Sequence, residues 1–414
     1  MLEVAFSRYV YKKSLEALRG MARTSDPPKP PAHGAPMLLY LHVPFCEELC
    51  GYCTFNRERF EAGLAHRYFA ALREEIAIYH DKGYTFGSVY VGGGTPTVLP
   101  EELASTMALV RSLWNPKVIS VETHPEHITE RACSLMEEAG VNRLSIGVQS
   151  FQEPVLRSLQ RKSHHITFEE TCSRLRRTIA SFRTVNVDMI FGVPGQTADT
   201  LRNDISAIKS LLPHQITYYP LMRDRAADSH RGVPSRRFYA LVVEGLSECY
   251  RLSSGWSFSL VRGNPLEEYI TEGEDYAGLG SGSFGYVDGV FYANTFSIKE
   301  YVRAISERFS PIIVSRRFRP SERMRYYSLM NLFDGRLLAA DAIRRFGFLP
   351  LLQLWKDCLM FAMAGGLSLG GRSLGLNETS GYRSMLMMKE FFTAIGELRK
   401  FCRSISFDRD DALA

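Results

Sequence analysis

The chain has 414 residues, more than one hydrophobic core usually supports, so we expect one large domain with a smaller addition. Its residues are 45% hydrophobic and 23% charged, which is typical of a globular protein and argues against a disordered or fibrous one. A net charge of +5 is too modest to indicate nucleic-acid binding. With no apolar run near about 18 residues and no secretory leader pattern, we expect a soluble, cytoplasmic protein.

The first 36 residues predict a short amphipathic helix ending near Ala22, followed by the proline-rich connector SDPPKPPAHGAP. After it, short β-branched runs alternate with longer helical patterns. The predicted strands are Leu38–Val43, Ser88–Val91, Val118–Thr123, Arg143–Val148, Val185–Ile190 and Gln215–Tyr219. The predicted helices are Leu64–Lys82, Pro100–Leu113, Thr129–Ala139, a pair within Glu153–Ser181, and Ala198–Leu212.

Six strand and helix units in succession require a parallel sheet with right-handed crossovers. We therefore predict an α/β fold in which the sheet curves into a partial (β/α)6 barrel. A glycine-rich passage, Asp275–Phe296, predicts further strands and tight turns, and the pattern becomes helical after about Pro311. The predicted parts are an N-terminal helix and connector (1–36), a core with a glycine-rich extension (37–305), and a smaller, mainly helical C-terminal domain (306–414).

Three cysteines stand close together in YLHVPFCEELCGYCTFN, where Cys46, Cys50 and Cys53 have the spacing C-x-x-x-C-x-x-C. An iron–sulfur cubane held by three thiolates would leave one iron open to a small molecule. Structural zinc needs four ligands, and only His42 offers itself nearby as the fourth. A disulfide would leave one thiol over. The triad therefore favours an iron–sulfur site, with zinc as the alternative.

Other unusual residues follow the predicted strands where parallel strands end, and these ends meet at one rim. The run Gly92-Gly93-Gly94-Thr95-Pro96-Thr97 follows the second strand, Glu122 closes the third and Gln149 the fourth, while VDMIFGVPGQT with Asp188 ends the fifth. The glycines indicate close approach to a ligand or simply a tight turn. Arg161 is either a carboxylate partner or an exposed helix arginine.

The segments LYLHVPFCEELCGYC, YVGGGTPT, VNRLSIGVQSF and VDMIFGVPGQT, in this order, resemble the radical S-adenosylmethionine (SAM) superfamily. Within it they are similar to the oxygen-independent coproporphyrinogen III oxidases and their relatives. The resemblance covers roughly residues 37–300. It implies a radical SAM barrel, a 4Fe-4S cluster on Cys46, Cys50 and Cys53, and SAM chelated to the open iron. One electron would cleave SAM into methionine and a 5′-deoxyadenosyl radical.

The same resemblance implies a set of SAM contacts. Tyr52 would flank the adenine, and Gly93 and Gly94 the methionine amino group, with Tyr40 near the methionine moiety. The remaining polar groups of SAM would be held by Glu122, Gln149, Arg161 and Asp188. A reducing partner such as flavodoxin or ferredoxin would supply the electron.

Two departures bear on the branch of this group. Coproporphyrinogen oxidases follow the third cysteine with another, whereas this chain has Thr54, Phe55 and Asn56. The haem-chaperone branch has a histidine and a tryptophan where this chain has Gly263 and Ile270. Both differences argue against these activities, so a coproporphyrinogen oxidase-like dehydrogenase and a haem chaperone are kept as the alternatives.

The segments GLGSGSFGYVDGVFYANTFSIKEY, HQITYYPLM and ETSGYRSMLMMKEFF resemble the class C radical SAM methyltransferases of this group. This resemblance implies a methyltransferase that uses two SAM molecules and methylates an sp2 carbon of an aromatic or quinone substrate, above all the menaquinone ring. The residues expected to line its pocket, unless they simply pack in the core, are Tyr326, Tyr327, Met387, Met388, Phe391 and Phe392.

The densest basic run is SRRFRPSERMR, from Arg316 to Arg325. Such a run is usually a solvated face. It also fits a dock for an acidic electron donor or peripheral contact with an anionic membrane.

Overall fold

The computed structural model describes residues 2–24, 27–31, 36–161, 166–222, 235–261, 275–334, 339–349, 352, 355–357, 359 and 378–405. Within these ranges the strands are β1 Ala22–Arg23, β2 Met37–Val43, β3 Phe45–Cys46, β4 Glu58–Arg59, β5 Phe86–Gly93, β6 Val118–Thr123, β7 Arg143–Gln149, β8 Thr184–Phe191, β9 Gln215–Pro220, β10 Tyr250–Leu252, β11 Ser257–Leu260, β12 Tyr276–Leu279, β13 Phe284–Val287, β14 Val290–Asn294 and β15 Ile312–Arg317.

The helices of the described ranges are α1 Leu2–Leu18, α2 Ala62–Asp81, α3 Pro100–Trp114, α4 Glu130–Glu138, α5 Glu153–Ser158, α6 Phe168–Ser181, α7 Ala198–Leu211, α8 Arg236–Leu246, α9 Ile298–Ser306, α10 Pro320–Phe333, α11 Ala339–Phe346 and α12 Glu378–Arg403. A 3-10 turn covers Pro96–Val98. Among the described helices, none combines the length and apolarity that crossing a bilayer requires.

One thirteen-stranded sheet organises the molecule, in the order β1-β15-β14-β13-β12-β2-β5-β6-β7-β8-β9-β11-β10. The six strands from β2 to β9 in this order pair in parallel and follow the chain, as the predicted partial (β/α)6 barrel requires. The sheet does not close on itself, since its two ends are β1 and β10. The predicted fold class is therefore confirmed, including the helical C-terminal region.

The parallel strands form because their apolar side chains are covered on the outer face by helices. Leu39, Val89 and Ile119 lie side by side in register on β2, β5 and β6 and are almost fully buried. Short polar residues start several of the covering helices. Thr129 and Thr167 accept hydrogen bonds from backbone N–H groups in the first turns of α4 and α6.

The glycine-rich extension adds strands to the free side of β2. Strand β12 pairs with β2 in parallel, and β12 to β15 continue as antiparallel neighbours. Its glycines are needed for close packing: a Cβ on Gly278 would lie 1.9 Å from the Phe284 carbonyl oxygen, and one on Gly280 2.5 Å from that of His42. The final helix, α12, packs against α1 and α10 beside this part of the sheet.

Candidate active site

The carboxyl ends of the parallel strands open into one cavity of about 820 Å³. It is lined by every residue that the sequence predicts as a site residue: Tyr40, Cys46, Cys50, Tyr52, Cys53, Gly93, Gly94, Glu122, Gln149, Arg161 and Asp188. Helix α12 and the glycine-rich strands supply the opposite wall. The predicted convergence on one rim is thus what the fold brings about, while the individual roles of these residues stay predictions.

The three cysteines lie on one loop, residues 46–57, which we call the cluster loop. Its two ends are tied together where β3 pairs in parallel with β4. Two backbone bonds close the base: Glu58 N–H donates to the Pro44 carbonyl at 2.7 Å and Phe60 N–H to that of Cys46 at 2.8 Å. Inside the loop, the Arg57 guanidinium donates to the carbonyls of Cys50 and Cys53.

The thiols of Cys46, Cys50 and Cys53 are partly exposed to the cavity, and no other described cysteine lines it. The Thr95 hydroxyl donates to Cys46 Sγ at 3.8 Å and Arg161 donates to Cys50 Sγ at 3.9 Å. Burial raises the pKa of the Cys46 thiol to about 11. No three His, Cys, Asp or Glu side chains of the described residues are gathered tightly enough to hold a single metal ion.

This donor set fits a cluster better than a lone zinc ion. A cubane spreads its iron atoms over a larger volume than one tetrahedral ion and needs thiolates from only three sides if a fourth iron stays open. Hydrogen bonds to the sulfurs, of the kind that Thr95 and Arg161 make, tune such clusters.

His42, the candidate fourth zinc ligand, is already fully engaged. Its Nε2 lies 2.8 Å from the Asn56 carbonyl, so Nε2 carries the proton, and Nδ1 accepts from the Tyr40 hydroxyl at 2.9 Å. Burial lowers the pKa of His42 to about 4, which keeps the ring neutral at physiological pH. In this arrangement His42 joins β2 to the cluster loop and orients Tyr40, and neither ring nitrogen is available to a metal.

The glycine run is held by Glu122, which the sequence had linked to SAM. The Gly93 N–H donates to Glu122 Oε2 at 3.0 Å, and the Tyr90 hydroxyl donates to Oε1 at 2.7 Å. Gly93 has a φ of +115°, and a Cβ on Gly94 would lie 2.4 Å from the Phe45 carbonyl oxygen. The two interpretations of the glycines therefore coexist: the turn requires them, and the same backbone faces the cavity.

Gln149 and Arg161 both lie beside Gly147 near the end of β7. Gln149 sits at a register shift with a φ of +71°, a conformation that costs a non-glycine residue about 1–2 kcal/mol. Arg161 is half-buried, donates to the Gly147 carbonyl and lies 3.5 Å from the Tyr52 hydroxyl. Strain kept at a strand end beside a cavity is typical of a functional position.

Asp188 lies deeper in the barrel. Its Oδ2 accepts from the Ser145 hydroxyl and its Oδ1 from the Asn186 amide, both at 2.8 Å, and Thr217 donates to Asn186 at 3.0 Å. The barrel interior below the cavity is thus polar, and this network fixes the direction of the carboxylate.

Sequence reasoning missed several residues of the cavity wall. His127 contacts Glu47 of the cluster loop at 3.0 Å, and burial lowers the pKa of the neighbouring His124 well below its usual value. Both histidines belong to the segment ETHPEH, which begins at Glu122. Their position so soon after a predicted site residue was the sequence signal that could have identified them. Arg399 and Arg403 of α12 also reach the cluster loop, and nothing in the local pattern distinguishes them from surface residues.

Of the C-terminal residues expected in the pocket, Tyr326, Phe391 and Phe392 line the cavity. Met387 and Met388 are instead buried in the main core, and Tyr327 packs against Phe346. The comparison with the haem-chaperone branch used Gly263 and Ile270. These two residues lie outside the described residues.

Comparison with known proteins agrees with this geometry. The family model described as the Radical SAM superfamily matches residues 40–208, so this part of the chain is a radical SAM core. The family implies a 4Fe-4S cluster and SAM, which the cysteines and the surrounding cavity fit. Within the superfamily, the chain is similar to the coproporphyrinogen oxidase-like group.

Two relatives are similar in sequence over much of the chain, and one solved structure shares its fold. Heme chaperone HemW of Bacillus subtilis is 27% identical over 296 residues, covering 66% of this chain and 76% of the relative. Oxygen-independent coproporphyrinogen III oxidase of Pseudomonas aeruginosa is 26% identical over 419 residues, covering 90% and 89%. The structure of coproporphyrinogen III oxidase (HemN) from Escherichia coli has the same fold, with a TM-score of 0.72 at 20% identity over 92% of each chain.

The prediction of a menaquinone methyltransferase is wrong. The relatives that match most of the chain are named as haem chaperone and coproporphyrinogen oxidase, and methylation finds no support among them. The residues that suggested methyl transfer have a packing explanation. The glycines of GLGSGSFG let β12 and β13 approach neighbouring backbone, and the methionines of MLMMKEFF fill the core between α12 and the barrel.

Proposed function

We propose that this protein is a radical SAM oxidoreductase that cleaves SAM reductively and removes hydrogen from a tetrapyrrole of the porphyrinogen type. The coproporphyrinogen oxidases to which it is similar act, by their name, on such a molecule. Removal of one hydrogen atom would need one SAM molecule, and the substrate radical would then lose a proton and pass one electron to an acceptor, so that a closed-shell oxidised tetrapyrrole results. The second SAM expected for methyl transfer is not part of this proposal.

The cavity wall is the observation that carries the proposal. Aromatic rings from the barrel and from the C-terminal region face the same space: Tyr40, Tyr90, Tyr219, Trp256, Tyr276, Phe284, Phe391 and Phe392. A volume of about 820 Å³ lies near the upper end of the usual range for small-molecule sites. A flat, largely apolar macrocycle beside SAM suits such a wall, because aromatic faces contribute area and stacking at little entropic cost.

The chain's own residues divide the work of holding the reactants. Cys46, Cys50 and Cys53 would hold the cluster, which when bound supplies one electron to the sulfonium of SAM. Glu122 and Asp188 present carboxylates whose positions are fixed by Gly93 and by Ser145. The aromatic wall excludes water, which protects a reactive carbon centre from unwanted hydrogen transfer.

The proposal is tested with anaerobic, reconstituted and reduced protein, SAM and coproporphyrinogen III. We expect 5′-deoxyadenosine formation that rises when the tetrapyrrole is added, together with an oxidised tetrapyrrole of lower mass. The proposal would be refuted if the rate of deoxyadenosine formation did not change on adding the tetrapyrrole and the tetrapyrrole were recovered unchanged.

A haem chaperone is the second candidate, favoured by the name of the Bacillus subtilis relative. Its signature in the same assay would be stoichiometric haem binding with little SAM turnover.

Thr54, in place of a further cysteine, argues against decarboxylation of the substrate's propionates, so oxidation without loss of carbon dioxide is the outcome we favour.

The partners stay proposals. A small reducing protein such as flavodoxin or ferredoxin would deliver the electron, and the cytoplasmic location stays a prediction from the sequence. The arginines of the 316–325 run already have acidic neighbours: Arg316 and Arg319 bind Glu322, Arg317 and Arg323 lie near Asp288, and Arg325 binds Asp357. A membrane contact through this run would therefore compete with existing ion pairs.

A further inference from the structure

Arginine side chains from two distant parts of the chain meet beside the cluster loop. Arg57 belongs to the loop itself, while Arg399 and Arg403 stand one turn apart on α12. All three line the cavity. Lys400 lines it too, but that ammonium group has Glu397 as a partner at 3.2 Å.

The side-chain hydrogen bonds of Arg57 and Arg403 go to backbone carbonyls. Arg403 donates to the Thr54 carbonyl at 3.2 Å and the Phe55 carbonyl at 3.0 Å, and Arg57 to the Cys53 carbonyl at 3.0 Å. The buried Nε of Arg57 has no hydrogen-bond partner. Within the described residues, neither guanidinium has an ion pair with a carboxylate.

Arg399 completes the group from the buried side. It is only 7% exposed, donates to the Thr54 hydroxyl at 3.3 Å, and lies over the Phe55 ring with its Cζ 4.6 Å from the ring centre. Burial and the nearby charge of Arg57 lower the pKa of Arg403. Positive groups that repel one another in a half-buried place are stabilised by an anion bound between them.

We propose that Arg57, Arg399 and Arg403 bind a carboxylate side chain of the substrate. The inference rests on the proposed function, because it assigns the carboxylates of a tetrapyrrole to these residues. A guanidinium presents a planar fork of N–H donors that matches a carboxylate. Since the arginines stand between the cluster loop and the aromatic wall, this contact would set which edge of the macrocycle faces the cluster.

The experiment compares a porphyrin acid with its ester. Cluster-loaded protein is titrated anaerobically with coproporphyrin III and with its tetramethyl ester in the same cosolvent, and the porphyrin absorbance and fluorescence give Kd. We expect the free acid to bind at least about tenfold more tightly, with a preference that shrinks as salt is added. Arg403→Gln and Arg399→Gln should each reduce that preference by about tenfold, and Arg403→Lys by less.

Arg131→Gln is the matched control, because it removes a side chain that is 78% exposed and does not line the cavity. It should leave both affinities unchanged. Iron content is measured for each variant, since Arg399 and Arg403 also hold the cluster loop. If Arg403→Gln loses iron, the Arg403→Lys variant and the comparison of acid and ester in the wild type still test whether the arginines bind a carboxylate.

Each other outcome has a distinct meaning. Equal affinity for acid and ester overturns the carboxylate site while leaving the tetrapyrrole proposal intact, whereas binding of neither porphyrin counts against both. An acid preference that persists in the glutamine variants overturns the assignment to these arginines. Repeating the titration with saturating SAM separates the two carboxylate sources: if SAM abolishes the acid preference, the arginines hold the cofactor's carboxylate and the inference is wrong.

Discussion

Replacing Glu75 by glutamine should remove a loss of stability that the wild type undergoes as the pH rises through about 7. Glu75 is on α2, is 1% exposed, and lies under the glycine-rich extension. Its Oε2 accepts from the Gly280 N–H at 2.8 Å and from the Tyr301 hydroxyl at 2.7 Å, and its Oε1 from the Asn294 amide at 3.2 Å. Burial outweighs these hydrogen bonds and raises the pKa of Glu75 to about 7.

The sign of the effect follows from linkage. The folded protein holds the Glu75 proton more tightly than the unfolded chain, whose carboxyl has the ordinary pKa of 4.5. The stability that protonated Glu75 contributes is therefore complete below pH 4.5 and is lost as the pH rises through about 7. Between pH 5.5 and pH 8.0 this loss amounts to about 2 kcal/mol of unfolding free energy.

Equilibrium denaturation of the wild type and Glu75→Gln at the two pH values checks this. The difference between the two proteins should grow by about 2 kcal/mol in favour of the glutamine variant as the pH rises. Other titrating groups are shared and cancel. Glu74→Gln, at the neighbouring exposed position of α2, is the matched control and should show no such trend. A difference between wild type and Glu75→Gln that stays constant with pH would refute the reasoning.

Three further predictions concern the cavity. Gln149→Gly should be about 1 kcal/mol more stable than Gln149→Ala in denaturant unfolding, because glycine adopts a positive φ without the strain that a Cβ causes. Equal stability of the two variants would show that the backbone at this position is not strained. Gly94→Ala should lower the free energy of unfolding by at least about 2 kcal/mol, because the new Cβ would overlap with backbone atoms. Gly192→Ala should lower it by about 1 kcal/mol, because Gly192 has a φ of +80° but open space around it. A larger loss for Gly192→Ala than for Gly94→Ala would contradict this explanation. Arg161→Gln should weaken SAM binding in equilibrium dialysis about tenfold with iron content unchanged, and iron loss instead would assign this residue to the cluster.

The barrel and its rim could be predicted from sequence because they rest on local signals. β-Branched runs separated by helical patterns leave few topologies, and parallel strands then carry the residues that follow them to one edge. Cys46, Gly93 and Glu122 belong to different βα units, yet each lies at or near the carboxyl end of a strand, so their meeting in one cavity needed no long-range information.

The opposite wall could not be predicted in this way. Arg403 reaches the cluster loop from a helix more than three hundred residues away in the chain, and the sequence around it resembles any exposed helix end. Glu75 and Tyr301 form a buried pair of which either member alone reads as an ordinary helical residue. Such contacts depend on how the C-terminal elements pack, which local patterns do not encode.

The mistaken methyltransferase prediction has a related cause. Glycines and methionines in the extension and in α12 are explained by close backbone approach and by core filling, as at Gly278 and Met388. Residues that satisfy packing recur in proteins of different activity, so they carry less functional information than the residues that face the cavity.

The central claim is that Cys46, Cys50 and Cys53 hold a cluster that cleaves SAM. It is tested most directly by measuring iron content and SAM cleavage in three variants, each with one of these cysteines replaced by alanine and prepared anaerobically beside the wild type. Cys172→Ala is the control, because Cys172 is buried and lies outside the cavity. We expect the wild type and Cys172→Ala to contain about four irons per chain and to release methionine and 5′-deoxyadenosine when reduced. Each of the three alanine variants should lose most of its iron and this cleavage. A Cys50→Ala protein that keeps both would contradict the account.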